Sequence, residues 1–356
     1  MTKDRVNEID LLRFCAAISV VLFHYAFRGY AADALSPMPY PALAPLAKYG
    51  YLGVELFFMI SGFVILMTAS SGSLRGFLVS RFVRLYPAFW ACCTITYLTI
   101  SALDLPQYQA GFGQFLVNLT MFSGFLNVPS IDNAYWSLFI ELRFYGMVAL
   151  VLVLGRIHQV ELWLALWLAG SIANQFVHSG RVEFLLISDY SAFFIAGASC
   201  FLIWSRGISA RRLAMVLLSW GLGSWQALAA LPAFERHYAP PMSRWGVVAL
   251  ITVFFVLLLL VSLRKTGAFG RRRWLLAGVL TYPLYLLHQN IGFMIFYVAY
   301  PAVNPHLLLW GTVLLMVIAA YLVHRLVEVP LAKKLKSKIG QLLDGMPLSK
   351  APRRAP

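Results

Sequence analysis

The chain has 356 residues, of which 60% are hydrophobic and only 12% are charged, and its mean hydropathy is +0.74. Because soluble globular domains carry roughly 25% charged residues, this composition excludes an ordinary soluble protein. It predicts an all-α, polytopic membrane helix bundle. The formal net charge of +15 would suit nucleic-acid binding, so the positions of the basic residues matter more than their sum.

Ten apolar segments are long enough, or nearly long enough, to cross about 30 Å of hydrocarbon. If the N-terminus is cytoplasmic, most of the 29 Lys and Arg residues lie on the cytoplasmic side. This positive-inside pattern explains the basic excess without nucleic acid, and an even number of spans puts both termini in the cytoplasm. The segments lie near residues 10–28, 49–70, 82–101, 136–155, 162–179, 188–204, 212–231, 245–263, 274–299 and 306–326.

Two regions outside these spans have a distinct composition. The longest predicted outer loop, 102–135, has no Lys or Arg, and its middle is apolar enough to dip back as a short helix. A lid over an outward cavity and a loop packed on neighbouring helices are both compatible with it. After an integral-membrane domain over 1–330, residues 331–356 form a basic cytoplasmic tail, whose LAKKLKSKIGQLL predicts an amphipathic helix on the membrane surface.

The first span, LLRFCAAISVVLFHY, contains an arginine near one end and a histidine near the other, Arg13 and His24. A charge at mid-membrane costs roughly 3 kcal/mol or more, so ionisable groups within a span are expected to have a function. Eleven residues at 100° each bring both side chains to about the same helix face, roughly 16 Å apart.

Two further motifs break the apolar pattern in spans two and three. Glu55 lies in GYLGVELFFMISGF, whose glycines would let helices approach closely, and it either forms a structural ion pair or lines a site. Arg81 and Arg84 share a helix face, and such a fork suits phosphate. Taken alone, the arginine pair also fits simple anchoring by the positive-inside bias.

Span four contains YWSLFIELRFYG, in which Ser137, Glu141 and Tyr145 recur every four residues and form one polar stripe. Trp136 belongs to the outer aromatic belt. Glu141, one and a half turns into the span from outside, is suited to act as a base or to orient one. Arg143 points elsewhere, to Asp132 or to a lipid phosphate.

Span nine contains TYPLYLLHQN, where Pro283 frees a backbone carbonyl and Tyr285 and His288 follow on one face. His288 is either a second catalytic histidine or a packed, hydrogen-bonded one. The four cysteines all fall in predicted spans without metal-ligand spacing, so neither a disulfide framework nor a metal site is indicated.

Together these motifs resemble the family-three integral-membrane acyltransferases. The matching features are Asp10-Leu11-Leu12-Arg13 with His24, then GVELFFMISGF, then Arg81-x-x-Arg84-x-x-Pro87, then WSLFIELRFYG, then YPLYLLH, in the family's order. Phe14-Cys15 replaces an expected glycine-containing turn, and Glu55 stands where an aspartate is common. Neither departure removes a group that the chemistry needs.

The resemblance implies an O-acyltransferase of the bacterial cytoplasmic (inner) membrane that moves an acyl group, most often acetyl, from cytoplasmic acyl-coenzyme A to a surface carbohydrate. Arg81 and Arg84 would hold coenzyme A phosphates, Arg13 would assist at the inner half of the cavity, and His24 would be general base or transient acyl acceptor. Glu141 or Glu55 would orient the His24 ring. Asp10, Glu55, Trp136, Ser137, Tyr145, Tyr285 and His288 are the further residues expected around the substrates.

A different class of protein also fits part of the pattern. A transporter or flippase of a lipid-linked saccharide or small anion would likewise have intramembrane charges and a kinked span. Transporters tend to show paired inverted repeats, and the sequence shows none. The sequence does not specify the acceptor glycan, the acyl chain or the oligomeric state.

Overall fold

The computed structural model describes residues 6–344 of the chain, and Lys3, Arg5 and the last twelve residues of the predicted tail lie outside this range. The described residues form helices and connecting turns, with no strand. The longer helices are α1 Asn7–Phe23, α2 Gly53–Ala69, α3 Leu74–Leu103, α4 Phe112–Asn118, α5 Trp136–Val153, α6 Val160–Val177, α7 Gly180–Leu186, α8 Ser191–Arg206, α9 Ala210–Tyr238, α10 Arg244–Ser262, α11 Leu275–Ala299, α12 Pro305–Val323 and α13 Val329–Asp344.

Shorter helical segments connect or extend these helices. Single π-helical turns continue α1 over His24–Arg28 and α12 over His324–Glu328. Such wide turns are rare and occur frequently at functional sites. The remaining segments are the α-helical Gly29–Ala31, Ala44–Ala47 and Ala268–Arg271 and the 3-10 helices Gly50–Leu52, Ser123–Leu126, Asn133–Tyr135 and Ile157–Gln159.

Nine helical segments within residues 6–344 are long and apolar enough to cross a membrane. They coincide with nine of the ten predicted segments, so the predicted polytopic helical bundle is confirmed. The tenth segment, 274–299, forms the 25-residue helix α11 but is not among the nine. Its middle contains Thr281, Pro283, His288, Gln289 and Asn290, which lower its mean hydropathy.

Close contacts at glycines fix the centre of the bundle, as the motif around Glu55 predicts. A Cβ atom on Gly53 would stand 2.7 Å from the carbonyl oxygen of Ala16, so α2 touches the backbone of α1. On the other side of α2, a Cβ on Gly62 would stand 2.1 Å from the carbonyl oxygen of Phe194 in α8. Only residues without a side chain allow backbones this near, and α2 is thereby held between α1 and α8.

The predicted outer loop folds back along α3. Tyr97 of α3 stacks on Phe115 of α4 with ring centroids 4.4 Å apart, and Trp90 Nε1 donates a hydrogen bond to the carbonyl of Leu119 at 2.9 Å. Of the two predicted alternatives, a lid and a loop packed on neighbouring helices, the structure therefore shows the packed loop. The part of the loop before Asn133 does not contribute to the two cavities described below.

Candidate active site

Two cavities lie along α1, one beside each of its two predicted functional residues. The histidine cavity, of about 660 Å³, is bounded among others by His24, Arg28, Glu55, Trp136, Gln226 and Tyr238. The arginine cavity, of about 290 Å³, is bounded among others by Arg13, Arg81, Arg84, Ser137, Glu141 and Tyr145. Arg13 and His24 therefore bound neighbouring cavities and not a single one.

A pair of buried histidines forms one edge of the histidine cavity. His288 Nε2 lies 3.2 Å from His24 Nδ1, although the two residues are 264 positions apart. His288 Nδ1 lies 2.8 Å from the carbonyl oxygen of Tyr285, and since that oxygen can only accept, Nδ1 carries the hydrogen. In the neutral ring, His288 Nε2 is then an acceptor.

The same reasoning assigns the tautomer of His24. Its Nδ1 lies 2.8 Å from the carbonyl oxygen of Val20 and also faces the acceptor nitrogen of His288, so Nδ1 is the donor. The lone pair of neutral His24 is consequently on Nε2. Neither Glu141 nor Glu55 bonds the ring, so the predicted orienting carboxylate is wrong, and His288 and the Val20 carbonyl orient the ring instead.

The segment of α11 around His288 is held by groups from α1 and from the end of the outer loop. Tyr25 OH donates to the carbonyl of His288 at 2.6 Å, and Asp132 accepts from the backbone N–H of Asn290 at 2.9 Å. Burial raises the pKa of Asp132 to about 6, while the backbone N–H groups of Asn290 and Ala134 favour its charged form. Asp132 thus stabilises the backbone next to His288.

Arg143 does not pair with Asp132, contrary to one of the two predicted alternatives. Its guanidinium lies 3.4 Å from the carboxylate of Glu183 and donates to the carbonyl of the same residue at 2.8 Å. The reason is direction, since Arg143 faces α7 whereas Asp132 is fully buried against α11.

Glu141 lies in the arginine cavity and not beside His24, which corrects the predicted outward position. It lies five residues after Trp136, and at 1.5 Å and 100° per residue it is about 7.5 Å deeper and turned about 140° away. Its Oε1 accepts hydrogen bonds from Ser61 Oγ at 2.6 Å and from Tyr145 OH at 2.7 Å. The predicted stripe of Ser137, Glu141 and Tyr145 is confirmed, since all three bound this cavity.

The two arginines of α3 differ in their partners. Arg81 donates to Ser80 Oγ at 3.0 Å, and its buried Nε has no hydrogen-bond partner among the described residues. Arg84 is paired with the carboxylate of Glu328, which also lies 2.8 Å from His324 Nδ1. Sequence reasoning missed Glu328, although a lone acid at the end of the last apolar segment was a usable signal.

A thin partition separates the two cavities. Tyr285 borders both of them, and its hydroxyl lies 2.7 Å from Ser137 Oγ and 3.1 Å from the carbonyl of Ala134. The ring of Phe57 packs edge-on against Tyr285 with centroids 5.6 Å apart. One layer of side chains therefore stands between the arginine cavity and the histidine cavity.

The remaining predicted residues are distributed between these regions. Glu55 and Trp136 border the histidine cavity. Asp10 borders neither cavity, because its carboxylate lies against the backbone of Gly278, where an added Cβ would stand 2.3 Å from Oδ1. Within residues 6–344, no group of three or more His, Cys, Asp or Glu side chains is placed to hold a metal ion.

The fold and these cavities define a multi-pass helical membrane protein with a buried histidine pair on one side of a partition and three arginines on the other. Residues 6–325 match the family model described as an acyltransferase domain, Acyl_transf_3. The chain belongs to this acyltransferase family.

Three curated relatives are similar to this chain. Peptidoglycan O-acetyltransferase OatA of Listeria monocytogenes is 24% identical over 80% of the chain and 49% of its own length. Acyltransferase MdmB of Streptomyces mycarofaciens is 29% identical over 48% of the chain and 44% of its own length. Nodulation protein 10 of Rhizobium leguminosarum is 24% identical over 80% of the chain and 84% of its own length. The chain thus spans about half the length of the first two relatives.

No solved structure matches this chain.

Proposed function

We propose that the protein is a membrane O-acyltransferase that moves an acetyl group from cytoplasmic acetyl-coenzyme A to a hydroxyl group of an extracytoplasmic glycan in the bacterial inner membrane. Family membership supports the reaction class, and the names of the relatives, which include a peptidoglycan O-acetyltransferase, support a carbohydrate acceptor. The main structural support is the partition at Tyr285, because it brings the arginine cavity within one side chain of the histidine cavity.

The arginine cavity suits the donor. Coenzyme A carries phosphates, and planar guanidinium groups bind phosphate oxygens with two parallel hydrogen bonds. Arg81 offers a buried Nε that has no partner within residues 6–344, and Arg13 and Arg84 add two more cations around the same cavity. In this proposal the phosphates bind these arginines, and the thioester end extends toward Tyr285.

The histidine cavity suits the chemical step. The lone pair of His24 Nε2 accepts the proton of an acceptor hydroxyl while the oxygen of that hydroxyl attacks the thioester carbonyl. The carbon–sulfur bond then breaks, and coenzyme A leaves as the thiol after receiving that proton from His24. In the two-step variant, Nε2 first attacks the thioester carbonyl, the carbon–sulfur bond breaks and coenzyme A is displaced as the thiolate. The acceptor hydroxyl then takes the acetyl group from Nε2, and its proton passes to the thiolate.

The test is acetyl transfer by the purified protein in detergent, with radiolabelled acetyl-coenzyme A and surface polysaccharide stripped of its esters by mild alkali. The wild type should release coenzyme A thiol and label the polysaccharide, whereas His24→Ala should lose at least about 100-fold of both rates. His306→Ala is the matched control, since His306 hydrogen-bonds Tyr40 and borders neither cavity. Wild-type rates in His24→Ala would refute the assignment of the base.

A further inference from the structure

Two acceptor oxygens of the histidine cavity have no donor within the described protein. Glu55 Oε2 and Gln226 Oε1 are buried without a hydrogen-bond partner, and each residue is only 9% exposed. Both residues border the histidine cavity. Because leaving a buried acceptor unpaired is unfavourable, two such groups on one cavity point to a ligand that donates hydrogen bonds.

The orientation of the Gln226 amide is fixed by its other end. Nε2 donates a hydrogen bond to the carbonyl of Ser188 at 2.5 Å. Turning the amide over would bring two acceptor oxygens together, so Nε2 must face Ser188. Ser188 is held in turn by Asn174, whose Nδ2 donates to Ser188 Oγ at 2.8 Å. Oε1 is therefore the atom of Gln226 left for another partner.

Aromatic rings supply flat surfaces in the same cavity. The rings of Tyr51 and Phe234 are stacked with centroids 4.8 Å apart, and Tyr238 follows at 4.5 Å from Phe234. The faces of these rings carry partial negative charge and attract the weakly positive C–H groups of a saturated ring. Few polar groups among aromatic ones are the usual arrangement of a small-molecule site.

The charges around the cavity favour a ligand without negative charge. Arg28 is its cation, and its Nε already donates to Tyr238 OH at 2.9 Å while the guanidinium lies 4.0 Å from Asp33. Two acidic residues, Glu55 and Asp189, border the same space. A carboxylate or phosphate on the ligand would meet the Asp189 side chain with the cation already paired.

We infer that Glu55 and Gln226 bind two hydroxyl groups of a neutral, polyhydroxylated acceptor in the histidine cavity. The inference rests on the proposed function and names the residues that select its acceptor. A sugar hydroxyl donates to each oxygen, and a third hydroxyl of the same molecule is then presented to His24 Nε2. A site built to bind hydroxyl groups strongly rejects analogues that lack them.

The experiment measures acetyl transfer against acceptor concentration, with the alkali-treated polysaccharide and detergent-purified protein used above. Gln226→Leu should raise the half-saturating acceptor concentration about fivefold, and Glu55→Leu should raise it tenfold or more, since leucine removes both carboxyl oxygens. Glu55→Gln keeps one acceptor oxygen and should raise it about threefold. The half-saturating concentration of acetyl-coenzyme A should change less than twofold in each variant.

Ser219→Ala is the matched control. Ser219 lies on α9 like Gln226 and is fully buried, and its hydroxyl has no partner in the described part of the chain, but it does not border either cavity. Ser219→Ala should have the same half-saturating acceptor concentration as the wild type. Melting temperatures of all variants in detergent identify any that fail to fold, and the graded Glu55 pair still tests the inference if Gln226→Leu is such a variant.

The outcomes separate the two proposals. Unchanged acceptor half-saturation in folded Gln226→Leu and Glu55→Leu would overturn the acceptor site and leave the proposed function standing. Equal increases in the half-saturating concentrations of acceptor and donor would also overturn the acceptor site, because they indicate a general structural change. A wild type that transfers nothing to the polysaccharide would refute the proposed function, and the acceptor site with it.

Discussion

At the residue scale, the arrangement of His24 and His288 explains how the orientation of a neutral imidazole ring can be fixed in an apolar bundle. The hydrogen on His24 Nδ1 is used by two acceptors, so the ring cannot turn without losing both bonds. A carboxylate partner would be costlier here, because a charge in the bundle must be desolvated. In the proposed mechanism, His288 is therefore a positioning residue that acts through His24.

The first prediction concerns His288. His288→Ala removes one acceptor of the His24 ring and should lower kcat by about 10- to 100-fold, the cost of slight misplacement of a reacting group. The half-saturating concentration of acetyl-coenzyme A should stay within twofold. His288→Gln supplies an amide oxygen as acceptor and should recover part of the rate. A wild-type kcat in His288→Ala would show that the His24 ring is oriented without His288.

Only part of this site could be predicted from the sequence. The stripe of Ser137, Glu141 and Tyr145 follows from the helical repeat, which is local. The contact between His24 and His288 depends on the relative height of two helices 264 positions apart, and no repeat within either helix contains that information. The same limit hid the pairing of Arg84 with Glu328. The wrong placement of Glu141 has a different cause, since its depth below Trp136 follows from the rise of its own helix.

At the element scale, α11 brings the partition and the second histidine to the centre of the bundle. Its Pro283 and the four polar residues named above make it less apolar than the nine other segments, yet much of this helix is buried. Polar helix segments in membranes are tolerated where they are surrounded by protein or border a cavity. Tyr285 lies in this segment, and so one helix supplies the residue that borders both cavities.

The second prediction concerns Tyr285. Tyr285→Ala should join the two cavities and let water reach the thioester, since closed sites normally exclude such side reactions. The ratio of acceptor-independent thiol release to polysaccharide labelling should rise about fivefold or more. Tyr285→Phe keeps the ring, loses the bond to Ser137 and should change this ratio little. An unchanged ratio in Tyr285→Ala would mean that the partition lies elsewhere.

The third prediction concerns the π-helical turn between α12 and α13. Its His324 and Glu328 hold Arg84 against the arginine cavity, so Glu328→Gln should raise the half-saturating concentration of acetyl-coenzyme A about tenfold, equivalent to about 1.4 kcal/mol. Glu161→Gln, which breaks the Arg212 pair 2.8 Å apart, is the control. A lower half-saturating concentration of acetyl-coenzyme A in Glu328→Gln would show instead that Glu328 competes with the donor for Arg84.

At the scale of the whole molecule, the proposed function divides the two substrates between the two cavities, which lie at the two ends of α1. The proposed orientation puts the arginine cavity on the cytoplasmic side, where most Lys and Arg residues lie, and the histidine cavity on the opposite side. Under this proposal neither substrate has to cross the membrane, because only the acetyl group passes Tyr285. Sidedness is accordingly a property that can be measured without knowing the acceptor.

The last prediction concerns this sidedness. Acetyl-coenzyme A is charged and does not cross a bilayer, so inside-out vesicles should label their glycan from external donor, whereas sealed right-side-out vesicles should not. Single cysteines in a background without the four native ones report the topology: Ser71→Cys, after α2, should react with an impermeant maleimide only in inside-out vesicles. Gln107→Cys, after α3, should react only in right-side-out ones. Donor use by sealed right-side-out vesicles would place the arginine cavity on the outer side and reverse the proposed path of the acetyl group.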